Sequence, residues 1–353
     1  MDKLNAFLQR KNIVISAKRY GIDALGAMAQ GLFCSLLIGT IIKTLGQQLG
    51  VPFLVDIGGY ASAMSGPAMA AAIGYALQAP PLVLFSLIAV GSAANGLGGA
   101  GGPLAVLVIA ILAAEIGKAV SKETKVDILV TPLVTICAGV ALSAWWAPAI
   151  GAAASAFGQL IKDTTVLQPF WMGIVVSVLV GIALTLPISS AAICAAFGLT
   201  GLAGGAAVAG CCAQMVGFAV LSFRENRWGG LVSQGIGTSM LQMPNIVRNP
   251  RIWLPAIVTS AITGPIATCV FRLEMNDPAG GVASGMGTCG LLGPIGIVLG
   301  WFDSANGYPG TVGALDWVGL VLICFLLPAA LSYAFYLVFR RIGWIKDGYM
   351  KLD

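Results

Sequence analysis

The chain has no histidine, and charge is scarce: of 353 residues, 19 are Lys or Arg and 14 are Asp or Glu, together 9%. Soluble globular proteins carry roughly 25% charged residues, so a soluble fold could not clothe its surface with this set. Without histidine a zinc site loses its commonest nitrogen ligand, and no two cysteines stand in a C-x-x-C spacing. Cys34, Cys137, Cys194, Cys211, Cys212, Cys269 and Cys324 all fall in apolar stretches and read as small buried hydrophobes. No metal and no other cofactor is expected. A nucleophile–base pair at convincing spacing is also lacking, so no catalytic residue is assigned. There is no P-loop pattern and no polar stretch long enough for an attached ATPase, kinase or phosphocarrier domain. No soluble basic domain exists, so nucleic acid is not an expected partner.

What the chain has is apolar length. Hydrophobic residues make up 58%, mean hydropathy is +0.92, and there are 47 glycines. Glycine is thus nearly twice its usual share of roughly 7%, without the period of three that marks collagen. Disorder is excluded because disordered chains are poor in apolar residues. No charged residue occurs in 57–114 or in 164–223, and shorter charge-free runs occupy 24–42, 128–161, 252–271, 278–302 and 317–339. A spanning helix needs roughly 20 apolar residues, which leaves room for about eight to ten spans. Alternation of apolar and polar residues over ten-residue segments is absent, which argues against a β-barrel. The predicted class is an all-α, polytopic helical membrane protein.

The few charges orient it. Lys3, Arg10, Lys11, Lys18 and Arg19 precede the first apolar run, and Arg340, Arg341, Lys346 and Lys351 follow the last. Cytoplasmic flanks carry excess Lys and Arg, so both termini are expected in the cytoplasm, and the net charge of +5 reflects flanking rather than an acidic partner. The first 20 residues are too polar for a signal peptide and form a cytoplasmic lead-in. Spans are predicted over about 21–43, 58–78, 82–97, 103–118 and 128–146, with a break at the glycine run Asn95–Pro103. An interfacial connection is predicted after Trp145-Trp146, over 147–167, and a sixth span over 168–187.

Six crossings return the chain to the cytoplasm near residue 188. Residues 188–222 end at Arg224 and Arg227, and residues 229–247 end at Arg248 and Arg251. Each therefore begins and ends on the cytoplasmic side and must be a hairpin or a re-entrant segment. Span 252–271 crosses outward, 281–300 begins and ends on the outer side, and 317–339 returns. Lys43 and Arg272 fall on the outer side in this scheme and run against the charge rule.

Two of these one-sided segments share a motif. Residues 235–244 are Gly-Ile-Gly-Thr-Ser-Met-Leu-Gln-Met-Pro, and residues 285–294 are Gly-Met-Gly-Thr-Cys-Gly-Leu-Leu-Gly-Pro. The shared pattern is G-[IM]-G-T-[SC]-x-L-x-x-P, 50 residues apart. Ordinary small-residue helix packing is one reading of it. The functional reading is that Gly235, Gly237, Gly285 and Gly287 permit unwound backbone. Its freed groups cannot face lipid and must be covered by protein or line a cavity. Paired broken segments of this kind build the substrate sites of many secondary transporters. Thr238, Ser239 and Thr288 would supply hydroxyls there, Gln242 and Asn245 amides, and Cys289 stands where Ser239 stands in the first copy. Such groups suit a polar, largely uncharged solute such as a sugar or polyol, and suit proton relay poorly.

Other polar residues have plainer readings. Glu115 is expected to pair with Lys118 or to snorkel. Asn95 and Gln214 fall inside apolar runs, where an unpaired amide is costly, and are expected to bond between helices. Glu274, Asn276, Asp277 and Asp303 flank the second motif in solvated loops, with Glu274 a candidate cap on a ligand cavity.

The stretch from Gly235 through Asn-Ile-Val-Arg-Asn-Pro-Arg-Ile-Trp253, with Thr-Gly-Pro265 and Gly-Met-Gly-Thr-Cys-Gly-Leu291, resembles the membrane subunit IIC of the bacterial phosphotransferase system (PTS). More closely it is similar to the branch that includes PfoR-type regulatory membrane proteins. The resemblance implies a homodimer in the bacterial plasma membrane. It implies a scaffold and dimerisation half over 21–150 and a substrate half over 168–353, joined by the connection 151–167. It also implies elevator-like alternating access, with the sugar phosphorylated by a separate IIB protein. Many sugar IIC proteins place a His and a Glu in the sugar site, and this chain has no His. The expected function is a permease for a small polar solute. The alternative is a non-transporting IIC-like membrane sensor.

Overall fold

The computed structural model describes residues 2–276, 281–302 and 312–352. Asp277 and Asp303 lie outside the described residues. Among those described there is no strand, and the one isolated bridge pairs Gly201 with Met275. Among the described residues six helical segments are long and apolar enough to cross a membrane, and two shorter apolar helices accompany them. The protein is an all-α polytopic membrane protein, and its chain divides into two compact units, Met1–Ala153 and Ala154–Asp353.

In the first unit a short lead-in helix, α1 (Asp2–Arg10), precedes α2 (Arg19–Leu49), α3 (Pro52–Ala63), α4 (Ser65–Ala76), α5 (Pro81–Gly98), α6 (Gly102–Val120) and the greater part of α7 (Asp127–Thr164), whose residues 154–164 belong to the second unit. Glycines set the spacing. A Cβ on Gly31 would lie 2.6 Å from the Ala68 carbonyl oxygen, one on Gly39 2.7 Å from the Ser62 nitrogen, and one on Gly46 2.8 Å from the Val55 nitrogen. These descending pairs make α2 antiparallel to α3 and α4. Lipid tails are as apolar as leucine, so close van der Waals packing of small residues replaces the hydrophobic effect as the adhesive. The break predicted at the Asn95–Pro103 glycine run falls at Gly99, whose positive φ of 50° turns α5 back into α6. Asn95 donates from Nδ2 to Ser65 Oγ at 3.3 Å, the interhelical bond expected of it.

One end of this unit collects the basic residues. Lys118 pairs with Glu115 at 2.9 Å, as expected, and its Nζ also donates to the carbonyls of Asn12 (2.7 Å) and Leu77 (3.1 Å). Arg19 donates to the same Leu77 carbonyl at 2.6 Å. Glu123 holds Lys11 and Arg10, and the hydrogen bond from Lys11 foremost keeps its carboxyl below the usual range. The lead-in is thereby fastened to the α4–α5 turn and to the loop after α6.

The break predicted after Trp146 does not occur: α7 runs unbroken for 38 residues through Pro132 and Pro148. At about 1.5 Å per residue it is about 57 Å long, well beyond the ~30 Å hydrocarbon core. Residues 147–164 are rich in alanine, the best helix former, and this outweighs their lower hydropathy.

The second unit is built on α10 (Gly201–Leu221), with 89% of its most apolar stretch buried. Around it lie α8 (Pro169–Thr185), the short α9 (Ser190–Ala196), α13 (Pro250–Val270) and α15 (Ala314–Arg341). Contacts rise together along α8 and α10. Ser177 meets Gly210, and Thr185 meets Gln214. The two helices are therefore parallel. The chain returns between them through a turn at 186–188 and α9, so 188–222 is the one-sided hairpin expected. Helix α13 runs antiparallel to both, with Ser260 donating to the Gly210 carbonyl and Gly217 facing Ala256.

Small residues let α10 carry so many neighbours. A Cβ on Gly210 would stand 1.9 Å from the Ser177 carbonyl oxygen, and one on Gly205 would stand 1.7 Å from that of Leu273. Backbone cannot yield at such distances. Gly210→Val should lower stability by ~3 kcal/mol, the upper part of the range for overpacking. Gly229→Ala, which meets nothing within 4 Å, should be close to neutral. Thermal unfolding and gel filtration in detergent check both.

Candidate functional site

The first hairpin starts with α11 (Phe223–Val232) beside the Ser222 end of α10. It continues through a widened turn, Ser233–Gly237, and stops helically at Thr238, which is extended (φ −157°, ψ 142°). Thr238 Oγ1 accepts from the Met240 N–H at 3.1 Å and so starts the tight turn Ser239–Gln242. The chain then leaves through α12 (Met243–Arg248), with Pro244 in its first turn, where a missing N–H costs nothing.

The second segment approaches from the other end of α10. Ser284 Oγ donates to the Leu199 carbonyl at 2.6 Å, and Ser190 Oγ to that of Gly285 at 2.7 Å. Gly287 has φ +53° and lies so near Cys211 that a Cβ would be 2.6 Å from that residue's Cβ, so both conformation and space demand glycine. Gly290 and Leu291 are also left-handed, and α14 (Leu292–Phe302) carries the chain back to Asn276.

The two tips meet. Thr288 Oγ1 donates to the Gly235 carbonyl at 2.5 Å and lies 3.6 Å from Met215 Sδ, inside α10. The second copy of the Gly-x-Gly-Thr motif therefore covers opened backbone of the first. Next to this junction Ser239 Oγ is 2.8 Å from Thr185 Oγ1, which donates to Gln214 Oε1 at 3.3 Å. Gln214 also accepts from Trp253 Nε1 at 2.8 Å and donates to Ser260 Oγ at 3.4 Å. The interhelical role expected of Gln214 is realised.

A second polar group lies at the mouth of the first hairpin. Gln234 donates to Ser222 Oγ at 2.8 Å, and Gln242 donates to Gln234 Oε1 at 2.9 Å. Asn245 donates to Gln242 Oε1 at 2.9 Å. Gln242 and Asn245 also donate to the carbonyls of Met350 and Lys351, each at 2.9 Å. Asn226 and Glu225 hold the same C-terminal tail through the Leu352, Gly348 and Met350 N–H groups.

Of the residues singled out in the sequence, Gly235, Gly237, Thr238, Ser239, Thr288 and Cys289 come together at the tips, Gln242 and Asn245 at the mouth. Gly285 sits one turn before the second tip, against Ser190. Glu274 is placed apart, half-buried beside the Gly201–Met275 bridge at the other end of α10, where its carboxylate accepts from Asn276. Thr185, Gln234, Ser260 and Trp253 were not singled out as site residues. Their signal was the same as that of Gln214: a polar group inside or at the edge of an apolar run. Among the described residues no cluster of His, Cys, Asp or Glu is arranged to hold a metal ion. The polar side chains described at the tips are hydroxyls and amides, which can exchange hydrogen bonds, whereas the mouth also carries Glu225 and Arg248.

The Thr185–Ser239 contact gives a direct check on the first hairpin. Oxidation of a T185C/S239C variant should form an internal disulfide, detected by mass spectrometry of the peptides, whereas T185C/Trp228→Cys should not.

Residues 22–352 match the family described as phosphotransferase system, EIIC. No curated protein and no solved structure matches. The match covers nearly the whole chain, and its two halves of the repeated motif occupy the paired hairpins. The chain belongs to the EIIC family of the phosphotransferase system and is a membrane transporter subunit of that type, one that works with a separate IIB component.

Proposed function

We propose that the chain is the translocating subunit for a small, polar, uncharged solute, a sugar or polyol, bound where the two glycine hairpins meet. The observation that supports this most is the junction of Thr288 with Gly235, reached from opposite ends of α10. Parting the tips would free the Gly235 carbonyl, the Thr288 hydroxyl and the Ser239–Thr185 pair. These groups match the alternating donors and acceptors of a polyhydroxyl solute. Thr238, Gln242 and Asn245 would carry it onward to the mouth, and Gly237, Gly285, Gly287 and Cys289 would shape the cleft. Glu274 would serve at the opposite opening. Among the described residues the tips carry hydroxyls, a thiol and backbone groups without a carboxylate, amine or imidazole, which fits a solute moved without proton coupling, with phosphoryl transfer from IIB to the solute making uptake one-way.

In this reading the first unit is the scaffold and dimer contact, the second unit carries the solute, and both termini face the cytoplasm of a bacterial plasma membrane. One observation favours the sensor alternative. Gln242 and Asn245 bond directly to the tail carbonyls, so a ligand displacing those bonds would release residues 345–352 to a cytoplasmic partner.

Uptake of labelled hexoses and hexitols into proteoliposomes, with and without a IIB protein, tests the proposal. Saturable uptake of at least one is expected. Thr288→Val should reduce it about tenfold or more, and Thr288→Ser should restore it. Buried hydrogen bonds in membrane proteins are worth only about 0.6–2 kcal/mol, so the folded yield of both variants should be retained. Binding without uptake would favour the sensor. Neither binding nor uptake of any member would overturn both.

A further inference from the structure

Beside the mouth of the first hairpin, α12 and the residues after it face the C-terminal tail across a concavity of about 440 Å³. Arg248, Arg251 and Lys346 line it together with Asn245 and Asn249, and no carboxylate lines it. Cytoplasmic flanks are commonly basic, but these three cations, although exposed, line one hollow together. They are also positioned. Arg248 Nη1 donates to Asn245 Oδ1 at 3.3 Å, and the Arg251 guanidinium lies 5.5 Å from the centre of the Trp344 ring. Trp344 in turn stacks on Phe339 at 5.5 Å and 6°, and its carbonyl accepts from Asn249 Nδ2 at 3.5 Å. Left-handed Gly343 and Gly348 fold the tail back to form the far wall.

Among the described residues none of the three cations has an ion-pair partner, while the nearby acids are engaged elsewhere. Asp347 pairs with Arg340 at 2.6 Å, and Glu225 accepts two tail N–H groups. Two guanidinium groups with unused donors and an ammonium form a donor-rich hollow, whose two amides are engaged in holding its walls. Planar guanidinium forks match phosphate oxygens in pairs. We infer that this hollow is a binding site for a phosphate ester, whose charge the three cations neutralise and whose binding holds the tail against the hairpin. The ester can be carried by a soluble molecule or by a lipid headgroup; the recognising chemistry is the same. The site does not depend on the transport reading, because binding alone defines it.

The test uses the full chain purified in a neutral detergent. Two probes separate the sources: glucose 6-phosphate by equilibrium dialysis, and dioleoyl phosphatidic acid by native mass spectrometry. Glucose and dioleoyl phosphatidylcholine are the uncharged and zwitterionic controls. Saturable binding of at least one phosphate ester is expected, with an R248Q/R251Q variant weakening it about tenfold or more. K346Q should weaken it less, and R224Q/R341Q, which removes two exposed cations outside the hollow, should leave it unchanged. Binding of glucose 6-phosphate alone assigns a soluble ligand, and binding of phosphatidic acid alone assigns a lipid. If neither probe saturates, or if R248Q/R251Q binds both as tightly as the unaltered chain while eluting as the same folded species, the inference is wrong.

Discussion

Peptide N–H and C=O groups that leave a helix within a bilayer must find partners in the protein, because lipid offers none. The second unit depends on how this requirement is met. Its two glycine motifs open the backbone in the middle of the fold, the second motif supplies part of the cover for the first, and the first supplies part of its own. The Thr288 hydroxyl occupies the Gly235 carbonyl, and Thr238 occupies the Met240 N–H. Helix α10 closes the remaining side. Without the second hairpin the Gly235 carbonyl would lose this partner, so the two hairpins are coupled at their tips.

The same requirement explains the composition of α10. A helix touched by α8, α13, α15 and both hairpins has almost no lipid-facing perimeter and no room for bulk. Its Gly204, Gly205, Gly210 and Gly217 all face backbone or short side chains at distances no Cβ could share. Glycine is costly in a helix interior by about 1 kcal/mol relative to alanine, and here that cost is offset by the contacts it permits. Polar side chains then fill the gaps without charge. Gln214 joins α8, α10 and α13 through Thr185, Ser260 and Trp253. An arrangement held by such exchangeable bonds can separate and re-form, which is what alternating access or ligand sensing asks of it.

Much of this was legible in the sequence because it rests on quantities the sequence carries. The scarcity of charge gave the class. The positions of Lys and Arg gave the one-sided segments, and repetition of Gly-x-Gly-Thr marked the two tips. Three things were not legible. The 147–164 stretch looked too polar to continue a span, yet its alanines keep α7 helical. Thr185 and Ser260 reach Ser239 and Gln214 across 54 and 46 residues of sequence, a pairing that no local spacing encodes. The tail binds the mouth largely through its backbone, at Met350, Lys351 and Leu352, and backbone groups look alike whatever residue bears them.

The central claim is that the two hairpins enter from opposite sides. Trp228, at the start of the first, and Phe302, at the end of the second, are both exposed. Each can be replaced singly by cysteine in a chain whose exposed Cys34, Cys137 and Cys269 are changed to serine. A membrane-impermeant maleimide applied to right-side-out and inside-out vesicles should label Phe302→Cys only in the first and Trp228→Cys only in the second. Labelling of both from the same face would contradict the paired re-entrant arrangement.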